Sequence, residues 1–199
     1  MIPGRLVLAT GNPGKADELR VLVQEWGRVD ALDLRGFPGV VLPEETAPSY
    51  AGNAIAKARA VAQATGLPAL ADDSGLEVEA LGGEPGIRSA RWAGPGATDA
   101  ERIAKLLGAL AGVPETARAA RFRCVVALAW PDGGLETAEG QCDGRIATLP
   151  EGRGGFGFDP VFVADDIGRS LGRATPVEKQ RISHRARAMR RLGDKLRAS

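Results

Sequence analysis

Two adjacent carboxylates, Asp72 and Asp73, follow the apolar stretch Leu67 to Leu70 and run directly into Ser74 and Gly75. The pattern predicts a strand that ends in a turn able to hold a metal. Hard cations such as Mg²⁺ take carboxylate oxygens and fill the rest of their shell with waters and substrate phosphate. A second acidic pair, Glu44-Glu45, lies upstream, and Thr10-Gly11-Asn12-Pro13-Gly14-Lys15 lies near the start of the chain. That opening run joins a strand-like segment to a helical one, where free N–H groups and the helix dipole favour an anion. Its glycines let a phosphate approach the backbone, and Lys15 adds a full positive charge. It is not a Walker A loop, because Ala16 stands where Ser or Thr is required. Acids for a metal and a lysine loop for phosphates suggest an enzyme that acts on a phosphorylated small molecule. Taken singly, each run has a plainer reading: a strand–helix turn, an Asx turn, a solvated acidic loop.

Two further runs could carry chemistry. In Gly154-Gly155-Phe156-Gly157-Phe158-Asp159-Pro160, glycines flank two aromatics and an acid closes the run. Aromatic faces can stack on a base, and an Asp can read its edge; a tight turn with two core phenylalanines is the alternative. Near the C-terminus stand Lys179 and Ser183-His184-Arg185, with the chain's single histidine. In one continuous helix His184 would lie about 200° from the apolar Ile182 at 3.6 residues per turn. A break at Ser183, acting as a new N-cap, would put His184 and Arg185 in a first turn facing a ligand. Lys57 and Arg91 are further basic candidates. Adjacent strand residues point to opposite faces, so one of Asp72 and Asp73 faces a metal and the other holds the turn or a neighbour.

The elements that must position these residues follow from periodicity and punctuation. Leu6 to Ala9 reads as a buried strand, followed by a loop from Thr10 to Lys15 and a helix from about Ala16 that ends at Gly27. Val40 to Leu42 reads as a short strand, Tyr50 to Thr65 as a helix stopped by Gly66, and Leu67 to Ala71 as the strand that delivers the two aspartates. Gly82 to Gly86 is a turn cluster. Thr98 and Glu101 form a capping box ahead of an apolar stripe at Ile103, Leu106, Leu107 and Leu110. Arg121 to Trp130 and Leu135 to Ala147 form a hairpin about Pro131 to Gly134. Thr175-Pro176-Val177-Glu178 is a second capping box, and Ile182, Ala186, Met189, Leu192 and Leu196 form the stripe after it. Strands alternating with helices, then a hairpin, predict an α/β fold with a mixed central sheet and flanking helices.

The 199 residues suit one domain with a sizeable core. The formal net charge of +1 gives no general drive toward nucleic acid or anionic membrane. From Arg169 to Ser199, ten Lys/Arg face only two acids, a basic end that could solvate or meet a polyphosphate. Cys124 and Cys142 lack metal-ligand spacing and read as buried thiols of a reduced compartment, with a disulfide between them as the alternative. With no signal peptide or long apolar span, a cytoplasmic protein is expected.

Together and in this order, the runs resemble the inosine triphosphate pyrophosphatase family, which removes dITP and XTP. The shared motifs are Thr-Gly-Asn-x-x-Lys, Ala-Asp-Asp-Ser-Gly-Leu, Leu-Gly-Gly-x-Pro-Gly, Gly-Gly-Phe-Gly-x-Asp-Pro and Ser-His-Arg, spanning Leu6 to about Leu196. Phe158 stands where many relatives carry Tyr or Trp. The resemblance implies a single domain over residues 1–199, elongated and two-lobed, with the active-site cleft between the lobes, and a homodimer. It implies that Thr10, Gly11, Asn12, Pro13, Gly14 and Lys15 bind the triphosphate and that Lys57 helps neutralise it. Glu45 and Asp73 would hold Mg²⁺, with Asp73 as general base and Lys15 as its catalytic companion. Ser74 would touch the substrate, and Phe156, Gly157, Phe158, Asp159, Lys179, His184 and Arg185 would form the nucleoside pocket. The implied reaction is hydrolysis of ITP, dITP and XTP to monophosphate and pyrophosphate. The partner is then a small nucleoside triphosphate, with no nucleic acid and no membrane. A pyrophosphatase for pyrimidine or modified nucleotides, a nucleotide-binding module without catalysis, and a nucleic-acid binder using the basic end are the rival readings.

Overall fold

The computed structural model describes residues 1–198. Seven strands hydrogen-bond in the order β2-β1-β3-β4-β5-β6-β7. They are β1 (Arg5–Leu8), β2 (Asp30–Asp33), β3 (Ala69–Val78), β4 (Ala119–Ala129), β5 (Leu135–Ile146), β6 (Phe162–Ala164) and β7 (Arg169–Ser170). β1 is parallel to both β2 and β3, whereas β5, β6 and β7 are antiparallel in succession. The five helices are α1 (Pro13–Val23), α2 (Tyr50–Thr65), α3 (Asp99–Ala109), α4 (Pro176–Ile182) and α5 (His184–Ala198). The mixed α/β class expected from the sequence is the one observed.

The chain divides into two compact units. The first holds Met1–Asp73, Cys124–Gly140 and the chain from His184 onward. Its core gathers Leu6 and Leu8 of β1, Leu19 and Leu22 of α1, Leu128 of β4, and Met189, Leu192 and Leu196 of α5. Trp26 closes one side, its indole Nε1 donating to the Met189 carbonyl at 3.0 Å. The second unit holds Ser74–Arg123 and Gln141–Ser183. Its core joins Leu76 and Val78 of β3, Ile103, Leu106 and Leu110 around α3, and Phe122, Phe162 and Ile182. Cys124 and Cys142 are both free and buried.

Local chemistry explains the helix ends. Asn12 caps α1 by accepting from the Lys15 amide, and Pro13 fits the first helical position, where an N–H would go unused. Helix α1 therefore begins three residues earlier than expected, and Lys15 sits in its first turn rather than in a loop. Ser49 caps α2 and left-handed Gly66 ends it, as expected. Both capping boxes form.

Three expectations change. Val40 to Leu42 is not a strand: Pro38, Gly39 and Pro43 punctuate the run, and Val41 is left 84% exposed. A strand does form earlier, Asp30–Asp33 alongside β1, which its acidic ends hid. β3 does not stop at Asp72 in a turn but continues to Val78. Basic partners compensate both buried aspartates, so the strand can carry them through its interior. Finally, the chain does break at Ser183, in extended conformation between α4 and α5. The expected stripe is thereby split: Ile182 packs in the second core, and Ala186, Met189, Leu192 and Leu196 pack in the first.

Candidate active site

In the first unit, three elements deliver charged side chains to the two aspartates. β1 leads into Thr10, whose hydroxyl accepts from the Asn12 amide at 3.2 Å. Asn12 then starts α1 and sets Lys15, whose Nζ lies 3.2 Å from Asp72 Oδ2. Gly11, Asn12 and Pro13 are exposed. α2 presents Asn53 and Lys57 one turn apart, both buried. Asn53 Nδ2 donates to Asp73 Oδ2 at 2.9 Å. Lys57 Nζ donates to Glu45 Oε1 at 2.6 Å and stands 4.0 Å from Asp73 Oδ1.

The two aspartates therefore have different surroundings, as strand alternation requires. Asp72 is fully buried and receives both Nε and one terminal nitrogen of Arg185, at 3.0 and 2.9 Å. The other terminal nitrogen of Arg185 donates to Glu18. Burial would raise the Asp72 carboxyl, but Lys15, Arg185 and Lys57 outweigh it and hold the group far below the usual carboxylate range. Burial pushes Asp73 above its ordinary value, against the pull of Lys57 and the Asn53 hydrogen bond. Asp72 is thus fixed as an anion inside a charge network, whereas Asp73 is the more basic carboxylate. Burial pushes the neighbouring Cys124 thiol strongly up, which leaves it inert.

Glu45 and Asp73 also form the set suited to a metal. Their oxygens flank the Lys57 ammonium, so the pair already holds a cation. Carboxylate oxygens are the donors a hard divalent ion takes, and Mg²⁺ completes its shell with water and phosphate. Among the described residues no group of three or more His, Cys, Asp or Glu gathers as a metal site, so the donors here are the two carboxylates of Glu45 and Asp73.

In the second unit, the glycine-rich run is organised by its acid. Asp159 is buried and accepts from the Phe156 amide at 2.8 Å and from Lys179 Nζ. Lys179 Nζ also lies 4.5 Å from the centroid of the Phe156 ring, a cation–π distance. The Gly157 amide donates to Asp99 at 2.7 Å. Phe158 is buried in the second core, while Phe156 stays half-buried. Ser74 is half-buried at the start of this unit. Gly155 has φ of +72°, and a Cβ there would strike the Asp159 carboxylate. Gly155→Ala is therefore expected to cost about 1–3 kcal/mol from the backbone alone, lowering the urea midpoint; an unchanged midpoint would contradict this packing.

The structure thus gathers Lys15, Glu45, Lys57 and Asp73 with Asp72 and Arg185 in one unit, and Phe156, Asp159 and Lys179 in the other. His184 and Arg185 open α5, both buried. Arg185 is 1% exposed and its three guanidinium nitrogens are held by protein carboxylates. Sequence reasoning missed Asn53 and Glu18. A polar residue one helical turn before Lys57 was the available signal for the first; nothing local marks the second.

The Ham1 family model matches residues 6–195. A dITP/XTP pyrophosphatase of Geobacillus kaustophilus is 46% identical over 189 residues, covering 95% of this chain and 92% of that protein. One of Deinococcus deserti is 50% identical over 190 residues, covering 94% and 87%. The solved structure of a HAM1 protein from Coxiella burnetii superposes with a TM-score of 0.86 at 41% identity, covering 98% of this chain and 99% of that one. With the motifs, the sheet and these matches in agreement, the chain belongs to the Ham1 family.

Proposed function

We propose that this protein is a Mg²⁺-dependent nucleoside triphosphate pyrophosphatase. It hydrolyses the non-standard purine nucleotides ITP, dITP and XTP to monophosphate and pyrophosphate, clearing them from the nucleotide pool. The names of its relatives, dITP/XTP pyrophosphatase, support the substrate class. The observation that carries the reading is the arrangement of Glu45 and Asp73 about the Lys57 ammonium, with Asp73 held by Asn53 and made more basic by burial.

In this reading Glu45 and Asp73 hold Mg²⁺, which when bound supplies positive charge opposite the charge developing on the phosphate oxygens. Asp73 takes the proton of the attacking water at its carboxylate. The water oxygen bonds to the α-phosphorus, the bond to the bridging oxygen breaks, and pyrophosphate leaves. Lys15, Lys57 and the run Thr10 to Gly14, exposed at Gly11 to Pro13, meet a chain of roughly four negative charges. Ser74 contacts the substrate, and Phe156 to Asp159, Lys179 and His184 serve the nucleoside, while Arg185, with its guanidinium nitrogens committed to Asp72 and Glu18, holds the site's charge network instead. Hypoxanthine and xanthine present a 6-keto acceptor where adenine presents an amino donor. A site built on donors to that oxygen can reject adenine by about 10⁴-fold.

The protein acts as a cytoplasmic homodimer on free nucleotides. No described helix is long and apolar enough to cross a membrane. Comparing kcat/KM for ITP, dITP and XTP with ATP, GTP and TTP tests the substrate class. Preference for the first three is expected; equal rates on ATP would overturn the base reading, and no turnover of any would favour a binding module. Lys15→Ala is expected to raise KM and lower kcat together, since Lys15 stands in the first turn of α1, directly after the phosphate-binding run. Unchanged kinetics would place the triphosphate elsewhere.

A further inference from the structure

The Glu45 carboxylate comes from a segment, residues 41–46, with no regular structure. A divalent-ion site needs that carboxylate at a fixed distance from Asp73, which stands on a strand. Two side chains of α2 are tied to both segments: Lys57, whose ammonium lies between Glu45 and Asp73, and Asn53, which holds backbone as well as carboxylate. Asn53 is 2% exposed; its Nδ2 donates to Asp73 Oδ2 at 2.9 Å, and its Oδ1 accepts from the Ala47 amide at 3.0 Å. Ala47 is two residues from Glu45. The loop is also pressed onto the same turn of α2, where a Cβ on Gly52 would come within 2.6 Å of Ala47 Cβ.

The two ends of the amide decide why this residue is Asn. An ionised Asp73 only accepts, and a backbone N–H only donates, so the link needs one donor and one acceptor on a short rigid arm. An Asp at this position could hold Ala47 but would set a carboxylate against Asp73. A Lys could hold Asp73 but would leave the Ala47 amide unanswered.

We propose that Asn53 is a positioning residue for divalent-cation binding: its amide sets the spacing of Glu45 and Asp73 by holding the loop with one end and the strand with the other. The inference rests on the reading of Glu45 and Asp73 as the cation pair. Asn53 touches neither substrate nor ion and acts through the two carboxylates. Residues that orient metal ligands in this way typically change metal affinity by about 10–100-fold when replaced.

The test is direct binding of Mn²⁺, followed by the electron paramagnetic resonance signal of the free ion, for wild type, Asn53→Ala, Asn53→Asp, Gly52→Ala and Asp73→Asn. Thermal unfolding of each variant is recorded in parallel. Asn53→Ala and Asn53→Asp are expected to weaken Mn²⁺ binding by about 10-fold or more, while the KM for nucleotide at saturating Mn²⁺ stays within about twofold. Gly52→Ala leaves Asn53 in place and adds a better helix former, so it retains the fold if Asn53 variants do not. By displacing the Ala47 loop it is also expected to weaken Mn²⁺ binding. Wild-type affinity in a folded Asn53→Ala or Gly52→Ala protein, with only the unfolding temperature lowered, would reduce Asn53 to a structural role and overturn the proposal. Failure of Asp73→Asn to abolish Mn²⁺ binding would instead remove the cation pair itself, a distinct failure of the functional reading.

Discussion

Asp73→Asn is expected to lower kcat by at least about 10³-fold, because in the proposed mechanism it removes the general base and one charge of the cation pair together. The fold should survive. Asn has nearly the same volume, and its oxygen can accept from Asn53 Nδ2, which stands 2.9 Å from the carboxylate today. Asp72 keeps its own partners, Lys15 and Arg185, on the opposite face of β3. Nucleotide affinity measured without divalent ion should therefore change little, and the unfolding temperature should stay near that of wild type. Steady-state pyrophosphate release, isothermal titration with nucleotide, and thermal unfolding separate these effects. Near-wild-type turnover in a folded Asp73→Asn protein would remove Asp73 from the chemistry.

The second large effect is structural. Arg185→Ala is expected to destabilise the protein by about 3–5 kcal/mol, the range for stripping one partner from a buried ion pair. Arg185 is 1% exposed and Asp72 is fully buried, so the carboxylate stripped of the guanidinium cannot recover its hydration. Lys15 would remain beside it at 3.2 Å, but a single ammonium does not replace the two guanidinium nitrogens now donating to the same oxygen. Glu18 would lose its ion pair with Arg185 as well. Arg185→Lys should recover only part of the loss, because one ammonium cannot reach Asp72 and Glu18 with the guanidinium's forked geometry. Urea denaturation of both variants measures this. A loss below about 1 kcal/mol in Arg185→Ala, the level of an exposed pair, would mean the network is not what anchors α5.

Some of this was legible in the chain because the signals are local. Helix α2 runs from Tyr50 to Thr65 between a serine cap and a left-handed glycine, and those two residues mark its ends without any tertiary contact. The break at Ser183 could be inferred from the angular mismatch of Ile182 and His184, and the backbone there is extended. The opposite facing of Asp72 and Asp73 followed from strand geometry. What could not be read depends on partners distant in the chain. β2 is four residues with an aspartate at each end, and only its parallel pairing with β1 makes it a strand. The continuation of β3 beyond Asp73 requires knowing that Lys15, Lys57 and Arg185 arrive to neutralise two buried charges. Arg185 itself, expected in a nucleoside pocket through the resemblance, is held inside by Asp72, 113 residues away, and by Glu18, 167 away. Asn53 carries no motif signal of its own; its role emerges only when the Ala47 amide and the Asp73 carboxylate are seen at its two ends.

The central claim is that water cleaves the α–β anhydride of a non-standard purine triphosphate. It is tested most directly by incubating the protein with dITP and Mg²⁺ in ¹⁸O-enriched water and separating the products by ion exchange. The account predicts dIMP and pyrophosphate, with the ¹⁸O in dIMP, because attack is at the α-phosphorus. Label in pyrophosphate would move the attack to the β-phosphorus, and dIDP with orthophosphate would move the cleavage to the terminal anhydride; either result would contradict the mechanism built on Asp73.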